Sequence, residues 1–299
     1  MLEGVVNVLK PPGMSSSDVV TDIRRIFDMK RVGHTGTLDP GAAGVLPICI
    51  GRATRLFDYL VDKEKEYIAE IAFGVATDTQ DSYGTAERRE QVNVTEELLL
   101  SALPRFIGKQ KQTAPLYSAL SVDGKKMYKL ARQGVEVERK VRDINVPELS
   151  YISKTDENRY LIRIVCSKGT YVRTLCSDIG ESVGAPAHMS FLLRTRSGAF
   201  SLDDSFTIDE LKALKEQNGL SSAVIPIEQA LMHIGEARMT LNKKGEHFLT
   251  HGAEVVFPGV ERLPKDTPLR AYCNGKFLGI AKSNGEAVHI CAFLAPEEE

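Results

Sequence analysis

Stretches with a hydrophobic period of two and stretches with a helical period follow one another in no regular order, and that irregularity restricts the fold more than any other feature. Val5, Val6 and Val8 read as a short strand stopped by Pro11, Pro12 and Gly13. Val19, Val20, Ile23, Ile26 and Phe27 recur at helical spacing behind Ser16 or Ser17, either of which can cap the helix. The run VLPICIG is a candidate buried strand, although Pro47 demotes it to an edge or a short strand. Tyr67, Ala69, Ile71 and Phe73 alternate with Glu66, Glu70 and Ala72, as in a strand with one wet face. Thr95 starts a helix that Pro104 ends, VDGK from Val122 to Lys125 is a hairpin turn, and MYKLARQG is a helical turn or two closed by Gly134. Two β-rich runs, Val135 to Val146 and Tyr160 to Val165, bracket a polar loop, and SKGTYVRTL passes from strand to helix. The pattern is neither βαβ alternation nor all-β, and it predicts an α+β fold with a mixed or antiparallel sheet.

At 299 residues the chain has room for about two domains. The texture changes near Gly219 to Ser222, after the helix-like TIDELKALKEQ, and from Met232 onward short strands separated by HGAE, VFPG, CNGK and SNGE have the rhythm of a small barrel. We therefore expect one domain over 1–225 and a second over 226–299. No apolar run approaches the roughly 18 residues of a membrane span, and MLEGVVNVLKPPG is too short in its apolar part for a signal peptide. A cytoplasmic protein is expected. Five widely spaced cysteines among apolar neighbours fit reduced, buried thiols better than disulfides or a zinc knuckle.

The formal net charge of −2 predicts no global attraction to nucleic acid, but its distribution is uneven. Residues 62–97 carry ten acids against four bases, a net of −6, whereas residues 105–142 carry ten bases against three acids, a net of +7. A solvated face is the plain reading of such a run. Tyr117 and Tyr128 interleave with these cations, and rings that stack beside cations that bind phosphate suit single-stranded RNA.

GHTGTLDPGAAG, from Gly33 to Gly44, hangs one carboxylate, Asp39, among four glycines. It lacks the Gly-Lys-Ser/Thr ending of a phosphate-binding loop and the glycine spacing of a dinucleotide site. DTQDSYG departs from a calcium loop at Gln80 and Ser82, and His247 and His251, though spaced four apart, have no intervening glutamate to support zinc; no metal is expected. Asp-Pro-Gly is good turn chemistry by itself. Yet glycines permit close backbone approach, an imidazole lies five residues before the acid, and a solitary carboxylate suits nucleophilic catalysis rather than the two-carboxyl chemistry of glycoside hydrolysis.

RVGHTGTLDPGAAGVLPICIGRATR resembles the signature of the TruB family of tRNA pseudouridine synthases. GVVNVLKPPGMSSSDVV, KEYIAEIAFGVATDTQDSYG, PLYSALSVDGKKMYKLARQG and CSKGTYVRTL resemble further motifs of that family, in the same order. The sequence departs from it at Ala42-Ala43-Gly44, where a hydroxyl residue commonly precedes the glycine, and at Arg55, where lysine is common. The resemblance implies a pseudouridine synthase catalytic domain followed by a small PUA-like RNA-binding β-barrel. It implies isomerisation of uridine 55 in the tRNA T-loop after base flipping, without a cofactor. The partner implied is the tRNA T-stem-loop; no obligate protein partner is expected, and the chain is expected to be a monomer. By the same resemblance Asp39 is the nucleophile, Tyr67 stacks on the target base, Arg173 pairs with Asp39, and His34 fills the space the flipped nucleotide vacates. Arg55 and Asp81 would order the pocket or the RNA, and Lys10, Tyr117, Lys125, Lys126, Arg132, Lys168 and Tyr171 would contact it.

Overall fold

Strand β1 (Gly4–Lys10) is buried on both faces, and its register against β3 (Ala43–Ile50) runs unbroken from Gly4 opposite Ile50 to Lys10 opposite Gly44. The computed structural model describes residues 2–61, 64–117, 121–122, 125–126 and 139–295. Around this pair a nine-stranded sheet is built from β2 (Val32–His34), β4 (Lys65–Phe73), β5 (Glu148–Asp156), β6 (Arg159–Cys166), β7 (Ala187–Ser197), β8 (Phe200–Ser201) and β9 (Ile225–Pro226). Its path is β5-β6-β4-β7-β3-β1-β9, with β2 on β3 and β8 on β7. Only the β7–β3 contact is parallel, Leu193 opposite Ala43 and Arg194 opposite Gly44, so the sheet is mixed, as the α+β reading expects. Ser121–Val122 pairs antiparallel with Lys125–Lys126, as a hairpin at VDGK requires, whereas the whole of the helix expected at MYKLARQG lies outside the described residues.

Three local readings change. Helix α1 (Ser16–Ile26) is capped by Ser15, whose hydroxyl accepts from the Asp18 N–H while the Asp18 carboxylate accepts from the Ser15 N–H. Ser16 is thereby released, and its hydroxyl binds both the N–H and the carbonyl of Leu38, next to Asp39. Pro47 does not make β3 an edge. On the side of β3 away from β1, β7 pairs at 43–44 and β2 at 48–50, so Pro47 sits in the gap where no ladder needs its missing N–H. The polar stretch between the two β-rich runs is strand β5, an edge strand whose alternate residues meet water.

Helix α1 and helix α2 (Val172–Ser182) cover one face of the sheet, burying Val19, Ile23, Leu175 and Ile179 against Val6, Val8, Ala69 and Ile71. The C-terminal strands β10 (Glu236–Met239), β11 (Leu269–Cys273), β12 (Lys276–Ser283) and β13 (Val288–Phe293) form a four-stranded sheet in that order, with the first pair parallel. Bridges from Val255 to Val288 and from Lys265 to Ser283 wrap further chain onto it, but the pairings of the described residues do not close into a barrel. Four cysteines are buried as expected; Cys291 is exposed, because alternation on the outermost strand β13 turns it outward. No described helix is long and apolar enough to cross a membrane.

Candidate active site

Lys10 ends β1 with its side chain fully buried, and its ammonium donates to the carbonyls of Pro11, Pro40 and Ala42 at 2.9, 3.2 and 2.7 Å. Three donors meet three acceptors, so the lysine grouped with RNA-binding cations is engaged in tying the stretch just after Asp39 to the end of β1. Burial lowers its pKa to about 8, opposed by the Asp39 carboxylate. With Ser16 fixing Leu38 and the Ala42 N–H closing on the Asp39 carbonyl at 3.0 Å, the backbone on either side of the acid is tied down. The Asp39 side chain itself remains 43% exposed.

Arg173 arrives on the first turn of α2, its side chain 7% exposed. Its Nε lies 3.0 Å from Asp39 Oδ2 and its Nη1 3.5 Å from Asp81 Oδ2, while Nη1 and Nη2 donate to the carbonyls of Thr79 and Tyr117 at 2.9 and 3.0 Å. One guanidinium thus gathers the glycine-rich loop, the turn at Asp81 and the segment at Tyr117, a use that suits its fixed fork of donors. Asp81 also accepts from Thr79 Oγ1 and the Tyr83 N–H, and Asp78 from the Thr85 N–H, so these carboxylates serve their own turn.

A cavity of about 240 Å³ opens beside this pair. Asp39, Tyr67, Lys168, Tyr171 and Arg173 line it together, joining five of the expected positions. Burial pushes the Tyr67 phenol up, with the neighbouring Arg194 guanidinium opposing, so it stays protonated at neutral pH. Tyr171 is held through its backbone, its N–H donating to Gln112 Oε1 and its carbonyl accepting from Gln112 Nε2, and the Arg142 guanidinium lies 5.8 Å from its ring centroid.

Two lining residues escape sequence reading. Arg194 is 1% exposed, lies opposite Tyr67 and Gly44 in the sheet, and donates to the carbonyls of Val45 and Gly36 at 2.7 and 3.2 Å. It fills the gap in the β3 ladder beside Pro47. Lys65, also buried, precedes Tyr67 by two residues and shares its face of β4. In LLRTRS and KEKEY nothing separates these cations from surface ones; their position in the strand alternation is the one available signal.

Other expected positions lie elsewhere. His34 ends β2 opposite Ile48, outside the cavity lining, with Nδ1 buried and without a partner among the described residues; burial and the Arg194 charge lower its pKa. Arg55, on the 3-10 turn after β3, donates to the Phe293 carbonyl at 2.7 Å and so touches the C-terminal sheet rather than the cavity. Lys125 and Lys126 sit on the far strand of the small hairpin, and Arg132 lies outside the described residues. His251 Nδ1 meets the His247 carbonyl at 2.7 Å, and no group of three metal-ligating side chains occurs among the described residues.

Residues 24–172 match the sequence model of the TruB family pseudouridylate synthase (N terminal domain), and residues 173–232 match that of the tRNA pseudouridylate synthase B C-terminal domain. A tRNA pseudouridine synthase B of Pelotomaculum thermopropionicum is 46% identical over 270 residues, 89% of this chain and 85% of the relative. The chain belongs to the TruB family. The protein of the same name from Bacillus subtilis is 45% identical over 83% of this chain and 82% of its own. A chain in the crystal structure of a Cbf5-Nop10-Gar1 complex superposes with a TM-score of 0.74 at 26% identity, covering 98% of this chain and 85% of that one. The Asp39–Arg173 pair joins residues that fall in the two different matched regions, so this TruB-family site is assembled across them.

Proposed function

We infer that this TruB-family chain converts uridine to pseudouridine in tRNA, at position 55 of the T-loop. The observation that carries the reading is the Asp39–Arg173 contact of 3.0 Å at a cavity that Tyr67 also lines, in a chain whose close relatives bear the name tRNA pseudouridine synthase B. In the reaction the bond from ribose C1′ to N1 breaks, a bond from C1′ to C5 forms, the proton at C5 leaves and N1 gains one. Atoms balance within one nucleotide.

Asp39 is assigned as the nucleophile, its carboxylate oriented by the Arg173 guanidinium 3.0 Å from Oδ2. Tyr67 stacks on the base, and its protonated phenol stands ready for proton transfer at the ring. Extruding the nucleotide costs a few kcal/mol of stacking, which the cavity wall and the His34 ring offset. Lys168, Tyr171, Lys125, Lys126 and the basic run around them are assigned to the RNA backbone. Residues 1–225 form the catalytic part, and 226–299 a PUA-like RNA-binding part. The chain acts alone, in the cytoplasm.

Tritium release from tRNA labelled at uridine C5 tests this directly. Wild-type protein releases tritium stoichiometrically with product; Asp39→Asn abolishes release while tRNA affinity stays within about threefold, since one exposed carboxylate contributes little to binding a polyanion. Product formation by the variant at the wild-type rate would overturn the assignment.

A further inference from the structure

Among the described residues Tyr83 is the most exposed large apolar side chain, with 76% of the residue in water, yet its ring is seated on the catalytic loop. The contact is with Gly41, two residues past Asp39: a Cβ there would lie 2.6 Å from Tyr83 Cζ and 2.7 Å from its hydroxyl oxygen. Gly41 lacks the left-handed backbone of Gly44, so its conformation would admit a side chain. The ring of Tyr83 is what leaves no room for one. The nearest atoms all belong to the hydroxyl edge of that ring, so it meets the loop edge-on and keeps its faces in water.

The backbone beneath the ring is pinned as well. The Tyr83 N–H donates to Asp81 Oδ1 at 3.0 Å, and the other oxygen of that carboxylate lies 3.5 Å from Arg173 Nη1. Tyr83 is thereby tied to the segments of both members of the Asp39–Arg173 pair, although it does not itself line the cavity. Tyr67 and Tyr171, the rings that do line it, are half-buried.

An exposed ring by itself calls for no explanation. A ring held by one edge beside a reacting centre, with its faces free, has the form of a stacking platform. The reaction inferred above creates the need for one, because drawing a nucleotide out of a loop uncovers the bases on either side of it. We propose that the Tyr83 ring stacks on the unpaired base next to the target uridine. Gly41 lies at most about 7 Å from Asp39 along the chain, which sets the ring at the distance of a neighbouring nucleotide. The hydroxyl is turned onto Gly41, so what Tyr83 offers outward is the π-face that any base can use. This contact rests on the reading that RNA is the substrate.

T-stem-loop RNA carrying 2-aminopurine at either position flanking the target uridine, bound to the full chain, tests it. Stacking quenches this base, so at one of the two positions fluorescence is expected to be lower with wild type than with Tyr83→Ala. Tyr83→Ala is expected to weaken RNA binding about tenfold, the lower part of the range for one base on one ring, with the salt dependence of affinity unchanged because no charge is removed. Tyr83→Phe is expected to bind and quench like wild type. Tyr83→Leu keeps apolar bulk against Gly41 without a ring; it is expected to lose affinity as Tyr83→Ala does, and it decides the matter if Tyr83→Ala fails to fold. Affinity within about twofold of wild type in the Leu or Ala variant, or equal fluorescence with wild type and Tyr83→Ala at both positions, would overturn the proposal. Tritium release measured alongside separates it from the parent reading. Release by wild type with no effect of Tyr83→Ala on binding overturns the role of the ring alone, whereas Tyr83-dependent binding without release overturns only the assigned reaction.

Discussion

Arg173 and His34 show how much of this site depends on single side chains doing several things. Arg173 spends three nitrogens on two carboxylates and two carbonyls from three segments, so the pairing with Asp39 is also the tie that closes the pocket. His34 is governed by its surroundings: burial and the Arg194 cation hold its pKa below the ordinary 6.5. In the unfolded chain the same imidazole takes up a proton near 6.5, so the folded state has its full stability above that pH and loses some as pH falls below it toward the lowered value. A His34→Gln variant lacks this term. Urea denaturation at about pH 7.5 and about pH 5.5 is expected to show wild type losing more stability on acidification than the variant; parallel losses would mean that His34 takes up its proton equally in both states. His34 and Asp39 lie five residues apart in GHTGTLDPGAAG, and both stand out there as special residues. The buried Nδ1, without a partner among the described residues, does not, because it depends on what packs over the ring.

At the level of elements, the site rests on the short parallel contact between β3 and β7. Gly44 has φ of +117°, and a Cβ there would lie 2.2 Å from the Arg194 carbonyl oxygen and 2.6 Å from its nitrogen. The glycine is needed for both reasons: the conformation disfavours side chains, and the neighbouring backbone leaves no room. Gly44→Ala is expected to cost about 3 kcal/mol or more by urea denaturation and to reduce activity with it, since Arg194 would shift from Val45 and Tyr67. A variant of wild-type stability would refute the close packing described here. Helix α1 illustrates a different limit of sequence reading. The serines before it announce a cap, but local pattern pointed to Ser16 or Ser17, whereas the cap is Ser15 and Ser16 has a long-range partner at Leu38.

Across the whole molecule, the C-terminal sheet is joined to the rest by a shared apolar cluster. Val5, Val45 and Leu56 pack with Phe200, Ile227, Leu231, Ile280 and Leu294. Polar ties flank it: Arg55 donates to the Phe293 carbonyl, and Arg52 binds Glu3 and the Ala295 carbonyl. Leu231 is fully buried in this cluster, so Leu231→Ala is expected to lower stability by about 2–5 kcal/mol in urea denaturation while leaving tritium release per folded molecule nearly unchanged. A loss below about 0.5 kcal/mol would show that the cluster does not hold the two parts together.

Strands such as β1 and β4, helix α1, the solitary acid and its turn were carried by local pattern, because periodicity and turn chemistry act over a few residues, whereas β5, read as a polar loop, was not. Which cations would be buried was not. Lys10, Lys65 and Arg194 look like any other basic residues in the sequence, and Arg55 looks like a pocket residue until the C-terminal sheet is seen beside it. Burial and pairing of a charge depend on carbonyls and carboxylates brought from distant segments, as Arg173 reaches Asp39 across more than a hundred residues. The residue types and their spacing determined what chemistry the chain can attempt; only the folded sheet, by bringing those segments within hydrogen-bonding distance, decided which side chains stand at the reacting centre and which hold it in place.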